Sequence, residues 1–463
     1  MNDKSSSLTK RSWFTIVFFG LMGQIAWNVE NIYFNTFLYN SVYEKGAAAG
    51  EPPVTKAIAI MVALSAATAV VTTFLMGTLS DRINRRKAFI SVGYIAWGAV
   101  TAAFGLISKE NVAAVTGISD PAKVLTFTVW TVIIMDCVMT FMGSTSNDSA
   151  FNAWVTDVTS EGNRPLVETV LTALPVVAMG IVAGLGAVVV NTGYPLFFLM
   201  LGGTVSVCGV IGLFTIRDSK TGVARGEKRK TGYFSELVYG FRPRVIADNS
   251  RLYLALCAVC LFSVAGQVFT PYIVIYLQHV ILPATGELFT SGVIAPAAAG
   301  IAVLAAGIAA VMLTAKKWGR EKALIVAAAL FTAGLFLSAY GKNAGTFILC
   351  AAPMGAGYIP LIILLNASVR DLTPEDNVGL FQGVRMIFTV LLPMVIGPAI
   401  GDIAIRSSSV GYINEYGVEA TVPTALMFTC AGAVGALVFI PVIALNVLKL
   451  KKKSATSAAD GNS

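Results

Sequence analysis

Two apolar runs, Ile58–Met76 and Ala88–Ile107, flank a short charged hairpin, Gly77–Lys87 (GTLSDRINRRK). Each run is long enough to cross the hydrocarbon core of a bilayer as a helix, which takes about 20 residues. So short a connection means that both runs end on the same side of the membrane. In the hairpin Arg82, Arg85, Arg86 and Lys87 outnumber one acid, Asp81. The positive-inside rule therefore puts the hairpin in the cytoplasm. The pattern returns at Leu313–Lys322 (LTAKKWGREK), again between two apolar runs.

Of the 463 residues, 56% are hydrophobic and 13% charged, more apolar surface than a water-soluble chain of this size can bury. The apolar segments are too long, and too free of period-two alternation, for barrel strands. The expected fold is an all-α polytopic membrane protein with twelve spans, near 13–40, 56–80, 88–107, 124–150, 166–190, 194–216, 250–277, 292–315, 322–341, 345–368, 380–404 and 423–448. Alternate loops then carry 27 of the 33 Lys and Arg on the side that holds both termini. This asymmetry makes both termini cytoplasmic in a cell membrane, bacterial inner or plasma. The net charge of +8 sits in short loops and tails, where it sets topology and does not point to nucleic acid. The basic N-terminus leads into an apolar run too long for a cleavable signal. All six cysteines lie in apolar runs, so Cys257 and Cys260 read as buried apolar side chains despite their CxxC spacing.

The longest polar interruption, Arg217–Arg251, divides the chain into an N-terminal six-helix half (1–216), a cytoplasmic linker (217–249), a C-terminal six-helix half (250–448) and a cytoplasmic tail (449–463). The halves repeat each other. Asn152, Asp157, Thr159, Glu161 and Asn163 recur as Asn366, Asp371, Thr373, Glu375 and Asn377, every pair offset by 214, with Leu166/Leu380 and Val170/Val384 in register. Two similar halves, each with a charged hairpin after its second helix, are the plan of an alternating-access transporter.

The hairpin resembles the signature loop of the major facilitator superfamily, with Asn84 where a second Gly is usual. Asn147–Thr159 (NDSAFNAWVTDVT), together with Asp371-Leu-Thr-Pro-Glu375 and Gly379–Arg385 (GLFQGVR), is similar to the glycoside–pentoside–hexuronide:cation symporters. This is the branch of melibiose and sucrose–proton symporters. The resemblance implies the major facilitator fold over the whole chain and cation-coupled sugar transport. Two departures stand out. The second span has no acidic residue where sodium-coupled melibiose symporters carry paired Asp residues, and nothing basic lies between Arg164 and Arg217 where they use an Arg.

Charge inside a membrane is costly, so ionisable residues in spans are functional candidates. Asp136 and Glu30 are read as cation-coupling residues, joined by Arg385 at the start of the eleventh span. Asp136, Thr140, Ser144 and Asn147 fall at i, i+4, i+8 and i+11, one polar face of the fourth span. A carboxylate there binds a proton, accepts sugar hydroxyls, or pairs with a neighbouring helix. In the first span Gln24, Asn28, Asn31 and Asn35 form an amide stripe with Trp27 and Tyr33 nearby. Amides bond hydroxyls and aromatic faces stack on sugar C–H surfaces, although interhelical amide bonding is the structural alternative. Ser263, Gln267 and Thr270 extend the candidate substrate site to the seventh span, and Thr140 joins it from the fourth.

Asp81, Arg82, Arg85 and Arg86 against Asp157 and Glu161, and Asp371 and Glu375 against Lys316, Lys317 and Arg320, are read as cytoplasmic gate pairs. The single histidine, His279, reads as a surface residue. There is no metal cluster, no Gly-x-Ser-x-Gly and no ATP-binding loop, so neither an enzyme nor an ATP-driven pump is expected, and no cofactor is called for. The expected function is secondary active symport of a small molecule, a sugar or glycoside, with a proton or sodium ion, by a monomer in contact with membrane lipid. The alternative is lysophospholipid transport within the same superfamily.

Overall fold

The computed structural model describes residues 8–43, 53–83, 85–159, 163–218, 241–374, 378–408, 411–413 and 419–448. Twelve helices among them are long and apolar enough to cross a membrane. They are α1 (Lys10–Val42), α2 (Val54–Gly77), α3 (Arg86–Leu106), α4 (Pro121–Val158), α5 (Thr169–Gly186), α6 (Asn191–Thr215), α7 (Ser250–Thr285), α8 (Ser291–Trp318), α9 (Arg320–Ser338), α10 (Ala344–Leu372), α11 (Gly383–Ser407) and α12 (Leu426–Leu448). The all-helical membrane fold expected from the apolar runs is therefore what the chain adopts. The exception is a small antiparallel ribbon pairing Gly411–Ile413 with Glu419–Thr421 before α12. Asn84, Glu161, Glu375, most of the expected linker and the whole C-terminal tail lie outside the described residues, as do the side chains of Asp81 and Arg82.

Helix ends follow local chemistry. Thr9 caps α1 by accepting from the Ser12 amide at 3.1 Å. Asp120 caps α4 through the Ala122 amide at 3.1 Å, with Pro121 in the first turn, where no amide donor is needed. Asn343 and Thr346 form a capping box on α10. In the first turn of α6 the backbone kinks at Gly193, whose φ of 74° a residue with a Cβ adopts only under strain.

The chain divides into two compact units. The first holds Met1–Lys45 and Ile60–Arg229, the second Gly46–Ala59 and Lys230–Ser463. The first turns of α2 thus cluster with the second unit and the rest of that helix with the first. In the first unit α3 packs on α6, and α1 packs on both α5 and α6. The α3–α6 contact is close because Gly98 faces Gly202: a Cβ on Gly98 would stand 2.3 Å from the Gly202 carbonyl oxygen. In the second unit α10 packs on α8 and α9, α7 on α11 and α12, and α9 on α12. Outward-facing Val71, Val92, Phe214 and Ile301 are exposed in the chain alone, as suits side chains that meet lipid.

Several spans widen locally to π-helix, at Glu30–Phe34 and Leu38–Val42 in α1, Ser144–Phe151 in α4, Leu277–Ile281 in α7 and Ile387–Leu391 in α11. Such segments often sit at functional sites because the wider turn redirects side chains.

Candidate functional site

In the first unit, a polar centre joins three helices whose residues are far apart in sequence. Glu30 opens the π-segment of α1 and is buried. Its Oε1 accepts the hydroxyls of Ser65 on α2 at 2.8 Å and Thr140 on α4 at 3.0 Å. Those hydroxyl oxygens are themselves 2.7 Å apart. Asp136, one turn before Thr140, is 2% exposed and lies within electrostatic reach of Glu30. Glu30 Oε2 and Asp136 Oδ1 are both buried with no hydrogen-bond partner. No Lys, Arg or His occurs between Ser12 and Glu44, Ala57 and Asp81, Ala88 and Ser108, Val124 and Asn163, or Pro165 and Ile216. Two buried carboxylates without a base cannot both carry charge at low cost. Neutralising such a pair takes one proton or another cation, and the two unpartnered oxygens are acceptors left open in the centre.

The polar face expected along α4 divides in two. Asp136 and Thr140 belong to the Glu30 centre, while from Ser144 the helix widens to a π-segment whose polar side chains have other partners. Ser144 donates to Asp148 Oδ2 at 3.0 Å, and Asn147 Nδ2 lies 3.4 Å from Asp148 Oδ1. Asn147 Oδ1 accepts the Tyr94 hydroxyl at 3.0 Å, and the same hydroxyl is 3.0 Å from the Phe19 carbonyl. Ser144 and Asn147 thus bond within the π-segment and to Tyr94, whereas Thr140 bonds to Glu30. Trp27 stacks on Trp97 with ring centroids 5.0 Å apart and lies within reach of Asp148.

The amide stripe of α1 has a definite orientation. Asn28, Asn31 and Asn35 each donate Nδ2 to the backbone carbonyl four residues earlier, at 2.8, 2.8 and 2.6 Å. Gln24, Trp27, Asn28 and Asn31 are half-buried, while Asn35 is 1% exposed. Tyr33 differs from its expected role. It is buried, its hydroxyl donates to the Val182 carbonyl at 2.9 Å, and its ring packs on Phe197. That side chain is occupied inside the helix packing.

In the second unit Ser263, Gln267 and Thr270 are half-buried positions on a mostly buried helix, α7, and Thr270 bonds back to the Gly266 carbonyl at 2.8 Å. Arg385 is half-buried at the start of α11. A carboxylate passed over in the sequence reading, Asp402, is 4% exposed near the far end of α11. Arg406 holds it with Nε at 3.0 Å from both oxygens and Nη2 at 2.7 Å from Oδ2. Thr55 donates to its Oδ1 at 2.6 Å, and Tyr272 donates to the Thr55 and Pro398 carbonyls at 3.1 and 2.9 Å. An acid four residues before an Arg in the last turns of an apolar run was the available signal. Asp148 was visible as an acid beside a polar run, but it was taken only as part of a motif.

Among the described residues the charged hairpins show a basic–acidic pair in each unit. Arg86 Nε is 3.2 Å from Asp157 Oδ2, and Arg86 also donates to Ser80. Arg320 Nη1 is 2.7 Å from Asp371 Oδ2 and 3.5 Å from Ser368 Oγ. Arg85 is exposed.

The model of the Major Facilitator Superfamily matches residues 12–398. The chain belongs to the major facilitator superfamily. Family membership places it among transporters rather than enzymes and in a membrane. Similar solved structures include the nucleoside transporter NupG as a D323A mutant, at 12% identity and a TM-score of 0.61, covering 93% of this chain and 99% of that one. The xylose transporter XylE from E. coli, in a partially occluded inward-open conformation, is 12% identical with a TM-score of 0.60, covering 92% of this chain and 95% of that one. At such identities the likeness is one of fold. No curated protein matches the sequence.

Proposed function

We propose that the protein is a proton-coupled symporter of a sugar or glycoside, of the glycoside–pentoside–hexuronide:cation branch, working by alternating access. It acts as a monomer with both termini in the cytoplasm and with the two halves 1–216 and 250–448 as the moving parts. The observation that carries the reading is the Glu30–Asp136 centre: two buried carboxylates, two oxygens without partners and no base in the surrounding spans. One proton relieves the repulsion of the pair, and opening the centre to the other side of the membrane returns that proton to water. Ser65 and Thr140 hold Glu30 in place during the exchange. The half-buried amides of α1 beside Trp27 suit hydroxyl-rich solutes, and a similar fold carries out xylose transport in XylE.

The test is uptake of labelled sucrose and melibiose into proteoliposomes under an imposed pH gradient and then a sodium gradient. The expected result is accumulation driven by protons in the parent and lost in Asp136→Asn. Proton-driven accumulation that survives the substitution would move coupling away from Asp136. Uptake driven by sodium alone would replace the coupling ion.

A further inference from the structure

Along α1 after Arg11 and along the π-segment of α4, the side-chain amides and Asp148 offer several acceptors and there is no charged donor. Because a backbone carbonyl only accepts, the bonds from Asn28, Asn31 and Asn35 to their own helix fix which amide atom points inward, and so turn the carbonyl oxygens outward. Asn35 Oδ1 is buried with no partner, so one acceptor on this line already lacks a donor inside the protein. Asp148 adds a carboxylate. Ser144 and Asn147 donate to it and the Trp27 indole lies within reach, which fills only part of its acceptor capacity. Of the four acids in α1 and α4, Glu30 and Asp136 are buried, Asp157 is paired with Arg86, and Asp148 is half-buried. No base in the interior of these spans offsets it.

We infer that the first unit recognises a solute carrying a protonated amine, with Asp148 as the counter-charge, the Asn28 and Asn31 carbonyls as acceptors for its N–H and O–H groups, and the Trp27 face as the apolar wall. An anionic solute such as a uronate would face the Asp148 carboxylate with no base in the interior of these spans to offset the repulsion, so it is disfavoured. The inference rests on the reading of this face as a solute site and names the class of solute. It leaves the Glu30–Asp136 centre free for the coupling ion.

The experiment is direct binding to the purified protein, followed by intrinsic tryptophan fluorescence, with two matched series. Glucosamine, glucose and glucuronate share a ring and differ in charge. Putrescine, 1,4-butanediol and succinate vary the charge without a sugar. Within at least one series the amine should bind at least tenfold tighter than its neutral analogue, as expected for a charge-assisted hydrogen bond, and the acid should not bind. Asp148→Asn should bring the amine to within about threefold of the neutral compound, and Asp148→Glu should restore the preference. A merely structural role would weaken both compounds together and leave the ratio unchanged. Glucose binding as tightly as glucosamine would overturn the inference and keep the sugar reading. Putrescine binding with neither glucose nor glucosamine bound would keep the inference and remove the sugar. No binding in either series, by protein that elutes as a single folded species, would count against both.

Discussion

The two units build the same ion pair and different interiors. Asp157 and Asp371 are repeat partners, 214 residues apart, and each is held by the Arg that opens the third helix of its unit, Arg86 on α3 and Arg320 on α9. Inside the spans the likeness ends. The first unit holds Glu30 and Asp136 with no base and two oxygens left over. The second holds Asp402, whose charge Arg406 neutralises and whose remaining capacity Thr55 helps to fill. A repeat under a shared mechanical demand keeps its hairpin contacts. The chemistry needs to be present only once, so the interiors can diverge. On the proposed reading, an acid that exchanges a cation is left unpaired, whereas Asp402 is matched by an Arg one turn along its own helix.

The largest expected effect separates these two kinds of carboxylate. Glu30→Gln keeps the shape and the capacity to accept from Ser65 and Thr140 but removes the exchangeable charge. Gradient-driven accumulation should fall to simple equilibration, with thermal stability in detergent close to that of the parent. Asp402→Asn should do the reverse. It forfeits a charge-assisted network worth about 1–3 kcal/mol, discounted because the Arg406 side chain is 42% exposed, and accumulation should persist in the protein that folds. If Glu30→Gln accumulates solute normally, or Asp402→Asn is as dead as Glu30→Gln and fully stable, the division between exchangeable and structural acids is wrong.

Much of this was open to reading from residues alone. The twelve spans follow from apolar run length, and the Asp157/Asp371 equivalence from a constant offset. Glu30 and Asp136 stand out because acids in apolar runs are rare. Their meeting was not legible. Ser65 is 35 residues from Glu30 and Thr140 is 110, and no local pattern announces that their hydroxyls share one carboxylate oxygen. The π-turns were invisible to a reading that assumed 3.6 residues per turn, and the bonds of Ser144 and Asn147 to Asp148 and Tyr94 could not be read from spacing. Tyr33 suited a sugar site by residue type, but packing against Phe197 and the Val182 carbonyl decides its role.

A middle-sized effect is expected at the first hairpin. The Arg86 side chain is 9% exposed and that of Asp157 25%. Removing a mostly buried guanidinium leaves a carboxylate and the Ser80 hydroxyl without their partner. Arg86→Ala should cost about 2–3 kcal/mol in thermal or denaturant unfolding, the lower part of the range for broken buried pairs because Asp157 still meets solvent. Asp157→Asn should cost less, since the amide oxygen still accepts from Arg86. A cost below about 0.5 kcal/mol for Arg86→Ala would mean that the pair does not hold α3 to the end of α4.

The smallest effect is expected at the repeat-related pair, and it sharpens the comparison most. Arg320 and Asp371 approach more closely, at 2.7 Å, yet their side chains are 38% and 52% exposed. Closeness without burial contributes little, because water and salt screen the charges and two long side chains lose rotamer freedom in the contact. Arg320→Ala should therefore change stability by no more than about 1 kcal/mol, and added salt should reduce even that. Suppose instead that Arg320→Ala costs as much as Arg86→Ala, and that the cost is insensitive to salt. The second pair would then be buried in the state that dominates in solution. The two hairpins would be mechanical equals, and the asymmetry between the units would be confined to the membrane interior.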